Sequence, residues 1–163
     1  MTPAIRIAEA AEITIGIHHY EHDPSNQQYG LEAAEALGVP VDSVFKTLVI
    51  DLGDSHQNHS AIAVIPVSKT LNLKAAAMAL GRKNATMTKP KKAERITGYV
   101  RGGISPLGTR TALDTVIDLS SSKIGRLYCS GGKRGLDISI ELEDLVQLTN
   151  ANCLLYTSDA ADE

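Results

Sequence analysis

The sequence predicts a single α+β domain whose mixed, mostly antiparallel sheet closes on itself. Three observations predict it. At 163 residues and 43% hydrophobic side chains, the chain is long enough for one real core and short for two. Segments with helical spacing and segments with strand alternation interleave without the regular strand–helix–strand rhythm of a parallel sheet. Two apolar runs, 44–51 and 61–67, flank a polar turn over 53–60, as the arms of a hairpin do. With no Trp, one Phe and five Tyr, the core must rest on Val, Ile, Leu and Ala.

Thr2 reads as an N-cap and Pro3 as the first helical residue, opening a helix to about residue 12. Residues 13–22 read as a strand with Ile13, Ile15 and Ile17 on one face. A polar loop over 23–28 leads to a helix over 29–37, stopped by Gly38 and Pro40. After the hairpin, Asn72 caps a helix over 73–80 and Thr88 caps another over 90–96. Two glycine-rich loops follow, 102–108 and 130–135. Strands are expected at 113–119, 127–129 and 136–140, and a closing helix at 141–148. The domain spans 1–151. Residues 152–163 lack a packing pattern and read as a disordered tail or a cloning artefact, Cys153 included.

The net charge of −3 provides no general attraction for nucleic acid, so an RNA partner needs a local basic patch or delivery by another protein. The early apolar stretch 8–17 is interrupted by Glu9 and Glu12, unlike a signal peptide, and no run approaches the ~18 apolar residues of a membrane span. Cys129 and Cys153 form no zinc spacing. The expectation is a reduced, cytoplasmic protein without metal or other cofactor.

Lys46 is the most informative residue. It shares a strand face with Val44, Leu48 and Ile50, where an unpaired ammonium is costly to bury. Either it holds an anion or a carbonyl, or its amine snorkels to water. The glycine loops allow backbone amides to converge on an oxyanion, and Ser130, Lys133 and Arg134 add a hydroxyl and charge suited to phosphate; alternatively they are plain turns with solvated basic tips. Lys89, Lys91 and Lys92 are a contact patch or a solvated helix face. Residues 130–134 are not a phosphate-binding P-loop, and neither a dinucleotide fingerprint nor a serine nucleophile elbow occurs. His18, Tyr20 and His22 face one way, with His19 and Asp23 close by; the group is either a metal site, for which no His-Glu-x-x-His or supporting Cys occurs, or a polar strand end near a pocket mouth, with Tyr20 lining the pocket. Cys129 sits in an apolar strand without a paired His.

Taken together, residues 2–4, 19–24, 45–48, 98–99 leading into 102–108, and 130–136 resemble, in order and spacing, the YbaK/EbsC family, whose fold is shared with the editing domain of bacterial prolyl-tRNA synthetases. The resemblance implies a curved, mostly antiparallel sheet forming a partly closed barrel with surrounding helices. It also implies deacylation of mischarged tRNA, removing cysteine from Cys-tRNA(Pro) and also from Cys-tRNA(Cys) by attack of the substrate thiol. Hydrolysis of another species such as Ala-tRNA(Pro) by water, and a non-catalytic binding module, are the alternatives. Prolyl-tRNA synthetase is the implied partner. By the resemblance Lys46 is the active-site lysine, and Tyr20, Gly102, Ser130 and Asp137 match pocket positions. Gly102 and Gly103 are expected to supply amides to the oxyanion. Phe45, Ile104, Pro106 and Gly131 are expected to complete the substrate pocket, with Lys133 and Arg134 contacting tRNA.

Overall fold

A computed structural model describes residues 1–53, 59–154 and 157–159, with the backbone alone from 152 onward. The expected polar turn falls mostly on 54–58, outside the described residues. Helix α1 (Pro3–Ala10) is capped by Thr2, whose side chain accepts from Ile5 N, and it buries Ala4, Ile5 and Ala8 at helical spacing. It ends two residues earlier than expected because the chain reverses through Glu12, at φ +59°. Strand β1 is only Gly16–His19, since that is the stretch to which a partner strand is offered. Ile13 and Ile15 pack on the core before the strand begins, whereas Ile17 is 47% exposed, so the three isoleucines do not share one face.

Helix α2 (Tyr29–Leu37) ends at Gly38 in the left-handed conformation, as its composition predicts. Strands β2 (Phe45–Leu52) and β3 (His59–Pro66) form the expected antiparallel pair, in unbroken register. β3 is buried on both faces, which explains its continuous apolar run. Ile62 and Val64 face the main core with Phe45, Ile117 and Leu127, while Ala61, Ala63 and Ile65 face a second cluster with Ile50 and Ala76. Ala76 belongs to α3 (Leu73–Ala79), which Asn72 caps by accepting from Ala75 N. Small residues on both sides let this helix approach the sheet closely.

Two very short strands, β4 (Lys69–Leu71) and β5 (Thr86–Met87), were not legible as elements. Helix α4 (Pro90–Thr97) follows, with Lys89 at its N-cap; Thr88 does not cap it but donates its hydroxyl to Asp51. After the first glycine loop come β6 (Asp114–Asp118), a single-turn α5 (Ser121–Ile124), β7 (Arg126–Lys133), β8 (Leu136–Glu141) and α6 (Leu142–Thr149). The second glycine segment is therefore no free loop. β7 runs through it to Lys133, with a register shift between Ser130 and Lys133 that absorbs the glycines. Past Ala151 the chain pairs again where a loose tail was expected: β9 (Asn152–Leu154) lies parallel to β6, and β10 (Thr157–Asp159) lies antiparallel to β4. The open edge of β6 offers a template that composition alone does not reveal.

The strands assemble as β1-β8-β7 and as β5-β2-β3-β6-β9, the second sheet mixing antiparallel and parallel neighbours. A parallel bridge between Val44 and Tyr128 joins the two, so the sheets curve into a partly closed surface around the main core. α2 covers the seam, packing Ala33 and Ala34 on Val44.

Candidate active site

The seam between the two sheets holds a cavity of about 430 Å³. β2 supplies its floor from Val44 to Val49, α2 and the segment before it one wall, α4 and the first glycine loop the opposite wall, and Ser130 and Asp137 its end. Of the residues expected in a pocket, Tyr20, Phe45, Lys46, Gly102, Ile104, Ser130 and Asp137 all line it.

Lys46 lies on the β2 face that carries Val44 and meets α2. It is half-buried, and among the described residues its amine has neither an ion pair nor a hydrogen bond. Burial alone holds its ammonium below the usual lysine range. Asp137 is the opposite case. On β8, directly across from Ser130, it is 5% exposed, and burial pushes its carboxyl up to about 7. Tyr20 is pushed up to about 12 by burial and then by the charge of Asp137. Lysine and aspartate line one cavity without pairing with each other, and both carry the strain of incomplete solvation.

Gly102 sits at φ +83°, and a Cβ there would lie 2.5 Å from the Tyr29 ring, so only glycine lets the aromatic close against the loop. Its amide has no partner among the described residues. Gly103 is different. Its N–H donates to Val100 O at 2.8 Å, closing the turn, so the expected pair of oxyanion donors reduces to Gly102. Gly103 instead permits a close approach, since a Cβ there would meet Lys133 Cα at 2.7 Å. Gly131 and Pro106 are buried off the cavity, and the Gly131 carbonyl accepts from Thr2 Oγ1. Ser130 Oγ accepts from Gly132 N at 3.1 Å, which fixes the bulge and leaves its proton to donate.

Lys133 and Arg134 are exposed and do not line the cavity. The Arg134 guanidinium lies 5.1 Å over the Tyr29 ring, and its Nε donates to Arg101 O at 2.7 Å. It thus straps the second glycine segment to the first loop and to α2. Sequence reasoning missed Tyr29, Arg101, Thr47 and the α4 residues Pro90 and Ala93, all of which line the cavity. Of these, Thr47 lay inside a segment that carried the family resemblance.

His18 and His22 do face the Tyr20 side, but each has its own partner: Ser139 Oγ at 2.9 Å, and Glu32 Oε1 at 2.6 Å from His22 Nδ1. Among the described residues no three His, Cys, Asp or Glu side chains gather as metal ligands. Cys129 is fully buried and its thiol is pushed far up, mainly by burial, which makes it a poor nucleophile. Among the described residues no helix is long and apolar enough to cross a membrane.

The sequence model of the aminoacyl-tRNA editing domain matches residues 27–148, a span that includes every cavity residue above except Tyr20. The chain belongs to this family. As an enzyme of the editing family it is of the aminoacyl-tRNA deacylase class, with mischarged tRNA as its substrate. It is 34% identical over 150 residues to EbsC of Enterococcus faecalis, named as a candidate Cys-tRNA(Pro)/Cys-tRNA(Cys) deacylase, covering 91% of this chain and 88% of that one. Two solved structures share the editing fold at lower identity. One is a candidate trans-editing enzyme for prolyl-tRNA synthetase (TM-score 0.76, 21% identity, 98% of this chain and 99% of that one). The other is the hypothetical protein APE2540 (TM-score 0.84, 22% identity, 96% and 99%).

Proposed function

We propose that this chain is a trans-editing deacylase that removes cysteine from Cys-tRNA(Pro), and from Cys-tRNA(Cys) by the same chemistry. The observation that carries this reading is the unpaired, half-buried Lys46 in one cavity with the unpartnered amide of Gly102 and the buried carboxyl of Asp137. Attack on an aminoacyl ester places negative charge on the carbonyl oxygen. A preorganised ammonium and an N–H are suited to that charge, one such donor being worth ~2.7–4 kcal/mol. Asp137, ionised, suits the α-ammonium of the amino acid.

Among the described residues the cavity holds no His, and no serine or cysteine paired with a base. The nucleophile is therefore assigned to the substrate thiol. Sulfur attacks the cysteinyl carbonyl, a C–S bond forms, and the C–O bond to the ribose breaks. The thiol proton passes to the departing ribose oxygen, leaving a cyclic thiolactone and free tRNA. The enzyme then supplies positioning and charge, and correctly attached proline is spared because it has no thiol.

The acidic net charge, set against local basic residues such as Arg101 in the cavity wall and the exposed Lys133 and Arg134, supports delivery of the tRNA by prolyl-tRNA synthetase. One feature favours a second reading. A carboxyl titrating near 7 is also suited to act as a base toward water, and Ala-tRNA(Pro) would then be a substrate.

A deacylation assay on Cys-, Ser- and Ala-tRNA(Pro) separates the two. Thiol attack requires release of cysteine alone, with Lys46→Ala nearly abolishing it in a folded protein. Equal release of cysteine and serine would exclude the thiol, and undiminished turnover by the lysine variant would remove Lys46 from the reaction.

A further inference from the structure

β2 presents a free backbone edge to the cavity. The direction of its hydrogen bonds is fixed at two points: Val67 N donates to Val44 O at 2.8 Å, toward β3, and Thr88 N donates to Val49 O at 3.0 Å, away from β3. In an antiparallel ladder the N–H and C=O of one residue point the same way, and the direction alternates along the strand. The register with β3 is unbroken from Phe45 to Leu52. Residues 44, 46, 48, 50 and 52 therefore bond to β3, and 45, 47 and 49 point outward. That outward edge is closed at one end by the Val44–Tyr128 bridge and at the other by β5, which pairs with Ile50 and Asp51. Thr47 lies between the two and lines the cavity. Among the described residues no strand is paired with Thr47 on that side, since the outward partners of β2 are Tyr128 at Val44 and β5 at Ile50 and Asp51. The Thr47 Oγ1 is buried without a partner as well.

We infer that the aminoacyl group of the substrate docks on Thr47 as one added strand residue, its amine donating to Thr47 O and its ester carbonyl accepting from Thr47 N. An aminoacyl ester carries a donor and an acceptor on the two sides of a single Cα, which is the pattern a strand residue presents to its neighbour. Of the other parts of a tRNA end, a phosphate offers acceptors alone and a ribose hydroxyl donates and accepts through one oxygen; the adenine edge also sets a donor beside an acceptor, and removing the α-amine of the analogue distinguishes it from the aminoacyl group. The Thr47 amide then joins the Gly102 amide as the second donor to the carbonyl oxygen, in the role that Gly103 cannot fill. The ammonium has three N–H bonds, so it serves Thr47 O and Asp137 together. Main-chain pairing of this kind reads every amino acid alike, so selection falls to the side chain. The inference rests on the aminoacyl-tRNA reading above.

The test uses the full chain and a non-cleavable analogue, adenosine carrying cysteine through a 3′-amide. Hydrogen exchange of the Thr47 amide is followed by NMR with and without it. The expected result is exchange slowed by about tenfold or more on saturation, with affinity reduced roughly tenfold when the analogue lacks its α-amine. Thr47→Pro, which deletes the N–H, should weaken binding by a similar factor while the circular dichroism spectrum is retained. Binding that leaves Thr47 exchange unchanged, or no binding at all, overturns the inference. Protection of Thr47 in a protein that deacylates no tRNA would instead sustain the docking and defeat the proposed reaction. Deacylation with Thr47 unprotected would do the reverse.

Discussion

Asp137→Asn should stabilise the protein and disable it together. The carboxyl is 5% exposed, and burial pushes it up to about 7 from an ordinary value of 3.8. Because the folded value is the raised one, the folded state binds this proton more tightly than the unfolded chain does. Its contribution to stability is fully present below pH 3.8 and is lost as the pH rises through about 7. The whole window corresponds to about 4 kcal/mol, of which about 2 kcal/mol falls between pH 5.5 and pH 8. Asparagine has nearly the same shape and does not ionise. Urea unfolding of wild type and variant at the two pH values should therefore show the variant gaining about 2 kcal/mol on the wild type over that interval. Deacylation by the variant should fall, since an amide no longer attracts the α-ammonium. A stability difference that does not change between pH 5.5 and 8 would refute the claim that burial disfavours the ionised form of this carboxyl.

Three further outcomes follow from other contacts. Wild-type kcat/KM for Cys-tRNA(Pro) should rise through pH 7 as Asp137 ionises and fall again at alkaline pH, at a lower pH than an ordinary lysine would give, because burial depresses Lys46; a flat profile from pH 6 to 8 counts against the carboxylate. Gly102→Ala forces a side chain to φ +83° and into the Tyr29 ring, so activity should drop at least tenfold, with a loss of stability of about 1–3 kcal/mol readable from thermal unfolding. Asp51 accepts from Ser60, Thr88 and Lys92, and although burial raises its pKa these bonds hold it below the usual carboxylate value. Asp51→Ala should cost about 1–3 kcal/mol at pH 7, and less as the pH falls and the wild-type carboxylate is protonated.

Much of the scaffold was legible because its signals are local. The span of α2, the Asn72 cap of α3 and the β2–β3 pair follow from capping chemistry and apolar runs within a dozen residues. Alternation along β2 also placed Lys46 on the face with Val44, where it meets the cavity. What failed was whatever depends on a distant partner. β5 is two residues long and exists because Ile50 and Asp51 present an edge to it. Gly131 and Gly132 looked like part of a loop, yet Leu136 and Asp137 pull Lys133 and Ser130 into a bulged ladder. Gly103 resembled Gly102 in every local respect, and only the return of its N–H to Val100 O separates them. Tyr29 carried no local mark; its role comes from the Gly102 backbone and the Arg134 guanidinium that meet it from elsewhere in the chain.

The unpaired charges in the cavity are better explained by a ligand than by stability. An ammonium and a carboxylate in one half-dry space would ordinarily be brought together, since separation leaves each with its own desolvation penalty. Here β2 holds Lys46 and β8 holds Asp137, with no contact between them among the described residues. The Val44–Tyr128 bridge and the antiparallel pairing elsewhere fix the two backbones, which sets the ammonium and the carboxyl on separate strands of one cavity. A molecule carrying a positive amine next to a carbonyl that turns negative during reaction fits between them with both signs matched. An aminoacyl ester is such a molecule, and its charge is greatest at the tetrahedral stage. The separation therefore favours the reacting state over the bound ground state, which is the condition for accelerating a reaction as well as binding its substrate.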